Sequence, residues 1–417
     1  MNDNQKDSGV RTVGNCRICR STALAEFFNL GEQPLANSFL KAEDLEKQEP
    51  YYPLRVLFCE SCNLIQLGEV VNPELMFGDY VYFSSGMPAS AHFRTYAENI
   101  VKRFVSRSED LFVEIGSNDG HFLSVVKETH ANILGIDPAK NIAAVANKKG
   151  IKTIPDFFGA RVAADTAAQY GLAKVILGNN VVAHIDDHHD LAAGVDKLLA
   201  PDGVFIFEAP YLVDMFENLT FDTIYHEHLS YLAVRPMIKL LDQYNLEIFD
   251  VEIHPIQGQS IRVFAGRKGV RPVQGSVTGL INKELAMKLD QIASYFKLAE
   301  KIENLKKEVK DLVNDLKARG KRIIGYGAPA KGNTLLNYYR IGADILDYAT
   351  EELPSKIGLY TPGTHIPVVH VSEFRDNPPD YAFFLAWNYR DAVFEKEMDF
   401  RRKGGKFIMP VGEVRML

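Results

Sequence analysis

The segment Tyr225-His226-Glu227-His228-Leu229-Ser230-Tyr231 carries the densest set of side chains that can move protons. Two imidazoles stand two residues apart with a carboxylate between them, which suits general acid–base chemistry near neutral pH. A metal site is one alternative, but a His-x-His pair without a helix-spaced third ligand is a weak metal signature. A polar surface turn is the other alternative. We expect proton transfer here, with only one of the two histidines required to face the active site.

The only four cysteines of the chain stand as two pairs, Cys16-x2-Cys19 and Cys59-x2-Cys62. Two such pairs can present four thiolates to one tetrahedral zinc ion and leave no open position for catalysis. The long gap between the pairs predicts that the site encloses a small sub-domain. Two separate redox pairs are the alternative, but neither pair opens a helix after a strand, as redox motifs usually do. The sequence therefore predicts a structural zinc site.

A possible nucleoside site follows the strand predicted at Leu111–Ile115. Glu114 lies near the end of this strand, and the loop Gly116-Ser117-Asn118-Asp119-Gly120 follows it. Asp137 ends the next predicted strand, where a carboxylate can accept hydrogen bonds from both ribose hydroxyls. The loop is not G-x-G-x-x-G, and its acids suit a ligand with a positive amino group and no pyrophosphate. S-adenosylmethionine (SAM) has that profile; a tight turn without a ligand is the alternative.

Two further motifs lie at predicted strand ends. Asn179 and Asn180 follow a strand at 174–177, and the sequence around them is not the Asn/Asp-Pro-Pro-aromatic motif of enzymes that methylate nucleic-acid bases. The run Gly325–Thr334 combines glycines, Lys331 and a helix start, and the N-terminus of a helix favours an anionic phosphate. Lys356 belongs to a second loop expected at the same edge.

The elements that must position these residues alternate between short apolar strands and helices. This alternation predicts a parallel, doubly wound sheet after the cysteine region and a second Rossmann-like unit near the C-terminus. Strands are expected at 246–252, 260–265 and 345–348, among others. A helix of about 283–319 is expected between the two units, with a 4-3 apolar spacing along Leu298, Ile302, Leu305, Val309, Leu312 and Leu316. We favour packing of this helix on its own domain over a coiled-coil seam.

Composition describes an ordinary globular protein. The 417 residues carry a net charge of −7, which argues against a broad nucleic-acid or anionic-membrane surface. No apolar stretch approaches the roughly 20 residues needed to span a bilayer. The polar first fifteen residues show no signal peptide. We expect a cytoplasmic protein without a nucleic-acid or membrane partner.

Taken together, the four-cysteine region, E-I-G-S-N-D-G, Y-H-E-H-L-S-Y and G-Y-G-A-P-A-K-G-N-T resemble the nucleotide-sugar C-methyltransferase family. The members that act at sugar carbon 3 look most similar, and the motifs occur in the same order. The resemblance implies an α/β protein with a zinc-binding domain at 1–75, a SAM-dependent methyltransferase domain at 76–240 and a C-terminal Rossmann-like nucleotide-sugar domain at 241–417. It leaves a monomer or a homodimer open.

The resemblance also implies site residues. His228 would be the general base, and the sugar site would be lined or covered by Tyr225, Glu227, His184, Tyr80 and Tyr82. Contacts with SAM are expected from Glu114, Gly116, Asn118, Asp119, Asp137 and Asn179. From the chemistry of the helix start and the neighbouring loop, we expect the substrate diphosphate near Lys331, Asn333, Thr334 and Lys356.

The implied reaction is C-methylation of a dTDP-4-keto-6-deoxy sugar. The 4-keto group acidifies the hydrogens on carbon 3, so a neutral imidazole can remove one and leave an enolate that takes the methyl group of SAM. Alternatives are methylation at carbon 5 or on an oxygen or nitrogen of a nucleotide sugar. A zinc-bearing RNA methyltransferase and a non-catalytic nucleotide-sugar binder are less favoured, because the charge is acidic and both chemical clusters are intact.

Overall fold

Four β-sheets organise the chain, which a computed structural model describes over residues 9–77, 91–130, 132–255 and 258–417. Tyr80 and Tyr82, expected to cover the sugar site, lie outside the described residues. Among the described residues, no helix combines the length and apolarity required to cross a membrane.

The N-terminal region is built from short antiparallel strands around the cysteines. A two-stranded ribbon joins the first and fifth strands, and three strands form most of a second sheet. The elements are β1 (Val10–Thr12), β2 (Leu24–Gln33), β3 (Tyr52–Cys59), β4 (Ile65–Leu67), β5 (Glu69–Val71) and helix α1 (Pro73–Phe77). The apolar side of β3 and β4 is buried beside the cysteines, in a hydrophobic core that continues into the other two regions.

The central region contains a seven-stranded sheet of order β12-β13-β10-β9-β6-β7-β8. Its strands are β6 (Leu111–Ile115), β7 (Ile133–Ile136), β8 (Thr153–Ile154), β9 (Ala173–Asn179), β10 (Leu199–Pro210), β12 (Leu246–His254) and β13 (Ser260–Arg267). The first five are parallel, and β13 and β12 add antiparallel strands at one edge. Every residue of β6 is buried, as expected for a continuous apolar strand between helix layers.

Helices cover this sheet and lead into the third region. They are α2 (Ala91–Phe104), α3 (His121–Lys127), α4 (Lys140–Lys148), α5 (Ala160–Tyr170), α6 (His188–Leu198), α7 (Leu212–Asn218) and α8 (Val234–Asp242). A short strand, β11 (Ser230–Tyr231), leaves the central region and pairs with β4 of the N-terminal sheet. The segment that carries the two histidines is therefore anchored to the cysteine region by its own last residues.

The C-terminal sheet has the order β16-β15-β14-β17-β18-β19 and is parallel except for its last strand. Its strands are β14 (Ile323–Tyr326), β15 (Ala349–Glu351), β16 (Val368–His370), β17 (Tyr381–Phe384), β18 (Lys406–Met409) and β19 (Arg415–Met416). The helices are α9 (Gly275–Ala286), α10 (Ile292–Ala318), α11 (Ala330–Tyr339), α12 (Ser372–Asp376), α13 (Arg390–Lys396) and α14 (Met398–Arg402).

The structure differs from the expectations in several places. Strands β12 and β13, which lie beyond the expected domain boundary at 240, complete the central sheet, because β13 pairs with the edge of β10 and β12 pairs with β13. The strand expected at 345–348 forms instead at Ala349–Glu351. The long helix is two helices, and Lys288 between them has a left-handed backbone with φ 57°.

Contrary to the expectation that it packs on its own domain, helix α10 packs mainly against strand β2 of the N-terminal sheet. The Tyr295 ring is fully buried and lies 5.0 Å from the ring of Phe27 and 5.1 Å from that of Phe58, measured between centroids. The buried face continues through Val313 rather than the predicted Leu312, which is only partly buried. This helix therefore joins the C-terminal part of the chain to the cysteine region.

Candidate active site

The His228 ring is held by hydrogen bonds at both nitrogens. Its Nδ1 lies 2.7 Å from the backbone carbonyl oxygen of Thr223, and its Nε2 lies 2.9 Å from the hydroxyl of Tyr225. A carbonyl oxygen can only accept, so Nδ1 carries the proton and Nε2 accepts from the Tyr225 hydroxyl. Burial lowers the pKa of His228 well below its usual value, and the nearby His184 lowers it further. The ring is therefore a neutral imidazole with a lone pair at Nε2.

His184 lies beside the His228 ring. The two ring centroids are 4.8 Å apart in an edge-to-face arrangement. His184 ends a short 3-10 turn, Val182–His184, that follows β9 at the carboxyl edge of the central sheet. Burial lowers its pKa to about 4, so this ring is also neutral near pH 7. The predicted residues Tyr225, His228 and His184 thus come together in one place.

Glu227 joins the three regions of the chain. The Asn37 side-chain amide donates a hydrogen bond of 2.6 Å to its Oε1, and the charge of Glu227 raises the pKa of Lys356. Burial acts in the opposite direction and dominates, so the pKa of Lys356 is lowered overall. Asn37 belongs to the N-terminal region and Lys356 to the C-terminal one. The segment 225–228 therefore lies where all three regions meet.

His226 points away from this cluster. Its Nε2 lies 3.2 Å from the backbone carbonyl oxygen of Tyr52, and the two rings are 5.9 Å apart. Burial lowers the pKa of His226 to about 4. The structure therefore separates the two imidazoles and places only His228 beside Tyr225 and His184.

The expected SAM residues lie at the switch point of the central sheet, between the carboxyl ends of β6 and β9. Glu114 is buried at the end of β6, and its Oε2 has no hydrogen-bond partner among the described residues. Burial and the charge of Asp137 raise the pKa of Glu114 well above its usual value, whereas the neighbouring Asn179 lowers it. Asn179 accepts a hydrogen bond of 3.1 Å from the hydroxyl of Tyr96.

Several buried polar atoms of the segments that follow β6 and end β9 lack partners within the part of the chain that the structure describes. Besides Glu114 Oε2 they are Ser117 Oγ, Asn179 Nδ2, Asn180 Oδ1 and His121 Nε2. Buried polar groups are normally paired, so a cluster of them marks the place of a polar ligand. A ligand with amino, carboxylate and ribose groups, as in SAM, fits this mixed set of donors and acceptors.

Asp137 shapes the loop that follows β6. Its two carboxylate oxygens accept hydrogen bonds from the backbone amides of Asn118, at 2.8 Å, and Ala139, at 2.9 Å. Gly116 has φ 64°, and a Cβ there would lie 2.9 Å from the Val181 side chain. The loop therefore needs glycine at 116, and Asp137 fixes the chain beside it while keeping lone pairs for further donors.

Asp119 takes a different position from the other expected SAM residues. Its side chain is fully buried and accepts a hydrogen bond of 2.7 Å from the Lys149 ammonium. The carboxylate therefore ties the loop to helix α4.

The four cysteines meet at one point. One ligand atom from each lies within 4.8 Å of the others, and the Sγ atoms of Cys16 and Cys62, like those of Cys19 and Cys59, are 3.4 Å apart. Four sulfurs at this spacing fit a tetrahedral Zn²⁺. Between the first two cysteines, Arg17 Nε donates a hydrogen bond of 3.0 Å to Asp186, which follows His184 closely in sequence. The zinc region therefore contacts the loop of the active site directly.

The residues expected near a diphosphate lie at the start of α11 and in the loop after β15. Lys331 Nζ is 4.7 Å from the centroid of the Trp387 ring, and Lys356 Nζ donates a hydrogen bond of 2.9 Å to the Ala328 carbonyl oxygen. Asn333 is buried and donates to the carbonyl oxygen of Ala36 at 2.7 Å, and Thr334 is also buried. Asn333 thus holds the N-terminal region against α11.

Several residues of the site belong to no motif that the sequence shows. Asn37 and Thr223 contact the motif residues through an amide and a backbone carbonyl, and Tyr96 reaches the crevice from a helix that has no recognisable motif. The Arg262 guanidinium lies 3.3 Å from the centroid of the Tyr96 ring and pairs with Glu208 at 2.7 Å. No spacing pattern links these residues, because they approach one another only in the folded chain.

Family models match all three regions of the chain. A zinc binding domain matches residues 16–77, a methyltransferase domain matches 90–251, and a C-methyltransferase C-terminal domain matches 255–412. Among solved structures, a SAM-dependent methyltransferase from Anabaena variabilis is 14% identical with a TM-score of 0.36, covering 43% of this chain and 86% of that chain. Magnesium protoporphyrin IX methyltransferase from Synechocystis, with bound SAH, is 14% identical with a TM-score of 0.33, covering 42% and 82%.

A curated relative matches nearly the whole chain. C-methyltransferase NovU from Streptomyces niveus is 35% identical over 410 residues, which are 98% of this chain and 98% of the relative. The predicted family, the α/β fold class and the two cofactors, SAM and zinc, are confirmed. The chain belongs to the SAM-dependent C-methyltransferases that carry an N-terminal zinc-binding domain.

Proposed function

We propose that this enzyme methylates carbon 3 of a dTDP-4-keto-6-deoxy sugar through an enolate. The observation that carries the proposal is the neutral His228 ring, with its proton fixed on Nδ1 and its lone pair on Nε2. Forming a carbon nucleophile requires a base of this kind, and the hydrogens beside a ketone are acidic enough for an imidazole to remove one. A positioned base contributes roughly 10²- to 10⁴-fold to the rate.

The residues around the His228 ring stabilise the charges that form during the reaction. The proton from carbon 3 passes to Nε2, and the Thr223 carbonyl oxygen stabilises the resulting imidazolium through Nδ1–H. The Tyr225 hydroxyl, which donates to Nε2 in this structure, turns to donate to the enolate oxygen when the base takes up its proton. His184 and Glu227 border the same space, with Glu227 oriented by Asn37.

The methyl donor occupies the crevice between β6 and β9. When bound there, SAM supplies an electrophilic methyl group on a sulfonium sulfur. Asp137 accepts hydrogen bonds from the ribose, while Glu114 and Asn179 face its polar groups with the atoms that now lack partners. The crevice and the His184 turn both follow the same strand, β9, so the donor and the base lie on adjoining sides of the sugar.

The nucleotide diphosphate is proposed to lie against the C-terminal unit. The first backbone amides of α11 and the ammonium group of Lys356 supply positive charge at this edge, with Asn333 and Thr334 in the first turns of the helix. Desolvation lowers the pKa of Lys356, as expected for a group in an enclosed site.

The test is a product analysis with defined substrates. Purified enzyme is incubated with SAM bearing a ¹³C-labelled methyl group and with a panel of 4-keto nucleotide sugars that differ at carbons 2 and 3. The proposal predicts a product in which carbon-connected NMR joins the label to carbon 3. A label on carbon 5, on oxygen or on nitrogen would overturn it. The 4-hydroxy form of the best substrate is the matched control and should give no product.

A further inference from the structure

A hydrogen bond joins the C-terminal unit to Asp222, the residue next to Thr223 in the turn that orients the proposed base. Trp387 begins a short 3-10 turn after β17, at the switch point of the C-terminal sheet. Its indole Nε1 donates a hydrogen bond of 2.6 Å to Oδ2 of Asp222. The Asp222 side chain is fully buried, and its Oδ1 has no hydrogen-bond partner among the described residues.

A positive charge accompanies this buried carboxylate. Lys331 Nζ lies 4.7 Å from the centroid of the Trp387 ring and is attracted by both Asp222 and Asp214. Burial raises the pKa of Asp222 to about 6, and the charge of Lys331 and the indole N–H oppose that rise. A buried carboxylate is costly without such partners, so Trp387 and Lys331 stabilise Asp222 where it stands.

Asp222 is the middle residue of the turn that orients His228. The 3-10 turn Phe221–Thr223 supplies the carbonyl oxygen, at Thr223, that accepts the hydrogen bond from Nδ1. The Phe221 ring packs on two rings of helix α11, with centroid distances of 5.4 Å to Tyr338 and 5.6 Å to Tyr339. Two neighbouring side chains of the turn are thus held by the C-terminal unit.

We propose that Trp387 and Lys331 are positioning residues for the base: by holding Asp222 they fix the turn whose carbonyl sets the orientation and tautomer of the His228 ring. The inference rests on the proposed function for the identity of the base. It links alignment of the base to the docking of the C-terminal unit.

Lys331 then acts by positioning Asp222 and not by contacting a phosphate, and steady-state kinetics distinguish these two roles. Two carboxylates, Asp222 and Asp214, already act on its ammonium group, and they would repel a diphosphate. A positioning role predicts that Lys331→Met lowers kcat while KM for the nucleotide sugar stays within twofold. A rise in KM with unchanged kcat would overturn the assignment of Lys331.

The decisive variant is Trp387→Phe, which keeps an aromatic ring beside Lys331 but removes the N–H donor. We expect kcat to fall roughly 10- to 100-fold, with the KM for SAM unchanged. We also expect the ¹⁵N NMR signals of His228, assigned with His228→Gln, to show a loss of the pure Nδ1–H tautomer. Tyr326→Phe is the matched control, because it removes a buried hydrogen bond of 2.8 Å to Glu397 inside the same unit.

A second pair of variants distinguishes loss of positioning from a general folding defect. Asp222→Ala should reproduce the effects of Trp387→Phe, and Asp222→Asn, which keeps an oxygen for the indole N–H, should restore most of the lost tautomer and rate. The proposal is overturned if tautomer and kcat are unchanged in Trp387→Phe, or if Asp222→Asn and Asp222→Ala behave alike. The NMR readout needs no sugar. It therefore decides the positioning role even if no 4-keto sugar is methylated, which would refute the proposed function alone.

Discussion

The Nδ1 atom of His228 lies 2.7 Å from the backbone carbonyl oxygen of Thr223. This contact fixes which nitrogen carries the proton, since a carbonyl oxygen cannot donate. It also means that the base is oriented by main chain, whose position depends on the fold of the turn 221–223 and not on a side-chain rotamer. The lone pair at Nε2 is consequently available in the space shared with Tyr225 and His184.

The Tyr225 hydroxyl should contribute to catalysis through its hydrogen bond. Because Tyr225→Phe removes a donor to the enolate oxygen, we expect methyl transfer to fall about 10²-fold, with SAM affinity unchanged. Steady-state kinetics and calorimetry measure the two quantities. Tyr244→Phe is the control, as it removes an equivalent 2.9 Å hydrogen bond to His189 elsewhere in the central region. Equal rates in wild type and Tyr225→Phe would remove this residue from the mechanism.

Asp137 should control the affinity for SAM. In Asp137→Asn, one of the two accepting oxygens becomes an NH₂ group, which accepts no hydrogen bond, so the bond from Asn118 or from Ala139 is lost and the loop after β6 should loosen. We expect the Kd for SAM to rise about 10- to 100-fold, equal to roughly 1.4–2.8 kcal/mol.

The matched control for this prediction is Asp110→Asn. Asp110 also accepts hydrogen bonds from two backbone amides, those of Ser106 and Arg107, but it precedes β6 at the opposite end of the strand. Calorimetric titration should show SAM binding close to wild type for Asp110→Asn. Similar losses in both variants would mean that Asp137 acts through general stability and has no direct part in binding.

Loss of the zinc site should destabilise the protein and disturb the active-site loop. Cys16→Ser removes one of four ligands beside Arg17, whose contact with Asp186 connects the zinc region to the loop that carries His184. Since structural zinc contributes on the order of 10 kcal/mol, we expect metal content well below one ion per chain and a Tm lower by about 10 °C or more. Elemental analysis and thermal unfolding measure these effects.

Ser61→Ala is the control for the zinc prediction. Ser61 lies beside Cys62, and its exposed hydroxyl bonds only to Ser21 among the contacts described for it. Metal content and Tm should match the wild type in this variant. Full zinc occupancy and an unchanged Tm in Cys16→Ser would show that the four sulfurs do not form one structural site.

His226 should make stability depend on pH without taking part in catalysis. Its folded-state pKa is about 4, below the usual 6.5, because burial disfavours the charged ring. Between these values the unfolded chain binds more protons, so the free energy of unfolding decreases as the pH falls from about 6.5 to about 4. His226→Gln should remove up to about 2 kcal/mol of the difference between pH 7 and pH 5.

Denaturant unfolding at the two pH values measures this effect. Comparison with wild type cancels the opposite contribution of Asp222, whose raised folded-state pKa favours the folded state at low pH. Methyl transfer by His226→Gln should stay within a few-fold of wild type. An unchanged pH dependence of stability, or a loss of catalysis comparable with that of His228 variants, would contradict the separation of the two histidines.

Local sequence predicts the strands of this fold well where a single segment determines them. Strand β6 is expected at Leu111–Ile115 and is found there, because four of its five residues are apolar and polar residues flank the segment. Strand β15 is shifted to Ala349–Glu351, since its register depends on pairing with β14 and β16 and not on its own hydrophobicity. The break after α9 likewise depends on Lys288 adopting φ 57°, which its side chain does not favour.

In the site, too, some residues could be predicted from local sequence and others could not. The cysteines and the histidine motif could be predicted from the sequence, because the chemistry requires those residue types at short spacing. The roles of Asn37, Thr223 and Trp387 could not be predicted from the sequence. An amide, a main-chain carbonyl and an indole are common groups, and these three act only through contacts made in the folded chain. Asp119 lies in the loop predicted to bind SAM, and its ion pair with Lys149 could not be predicted, because Lys149 lies 30 residues later in the chain.

Exchange of the carbon-3 proton tests the central claim most directly. The enzyme is mixed with S-adenosylhomocysteine and the 4-keto nucleotide sugar in deuterated water, so that deprotonation is observed by NMR without methyl transfer. Wild type should exchange the proton at carbon 3, and His228→Ala should slow this exchange by about 10²- to 10⁴-fold while binding S-adenosylhomocysteine normally. Exchange at the wild-type rate in His228→Ala would show that another group removes the proton.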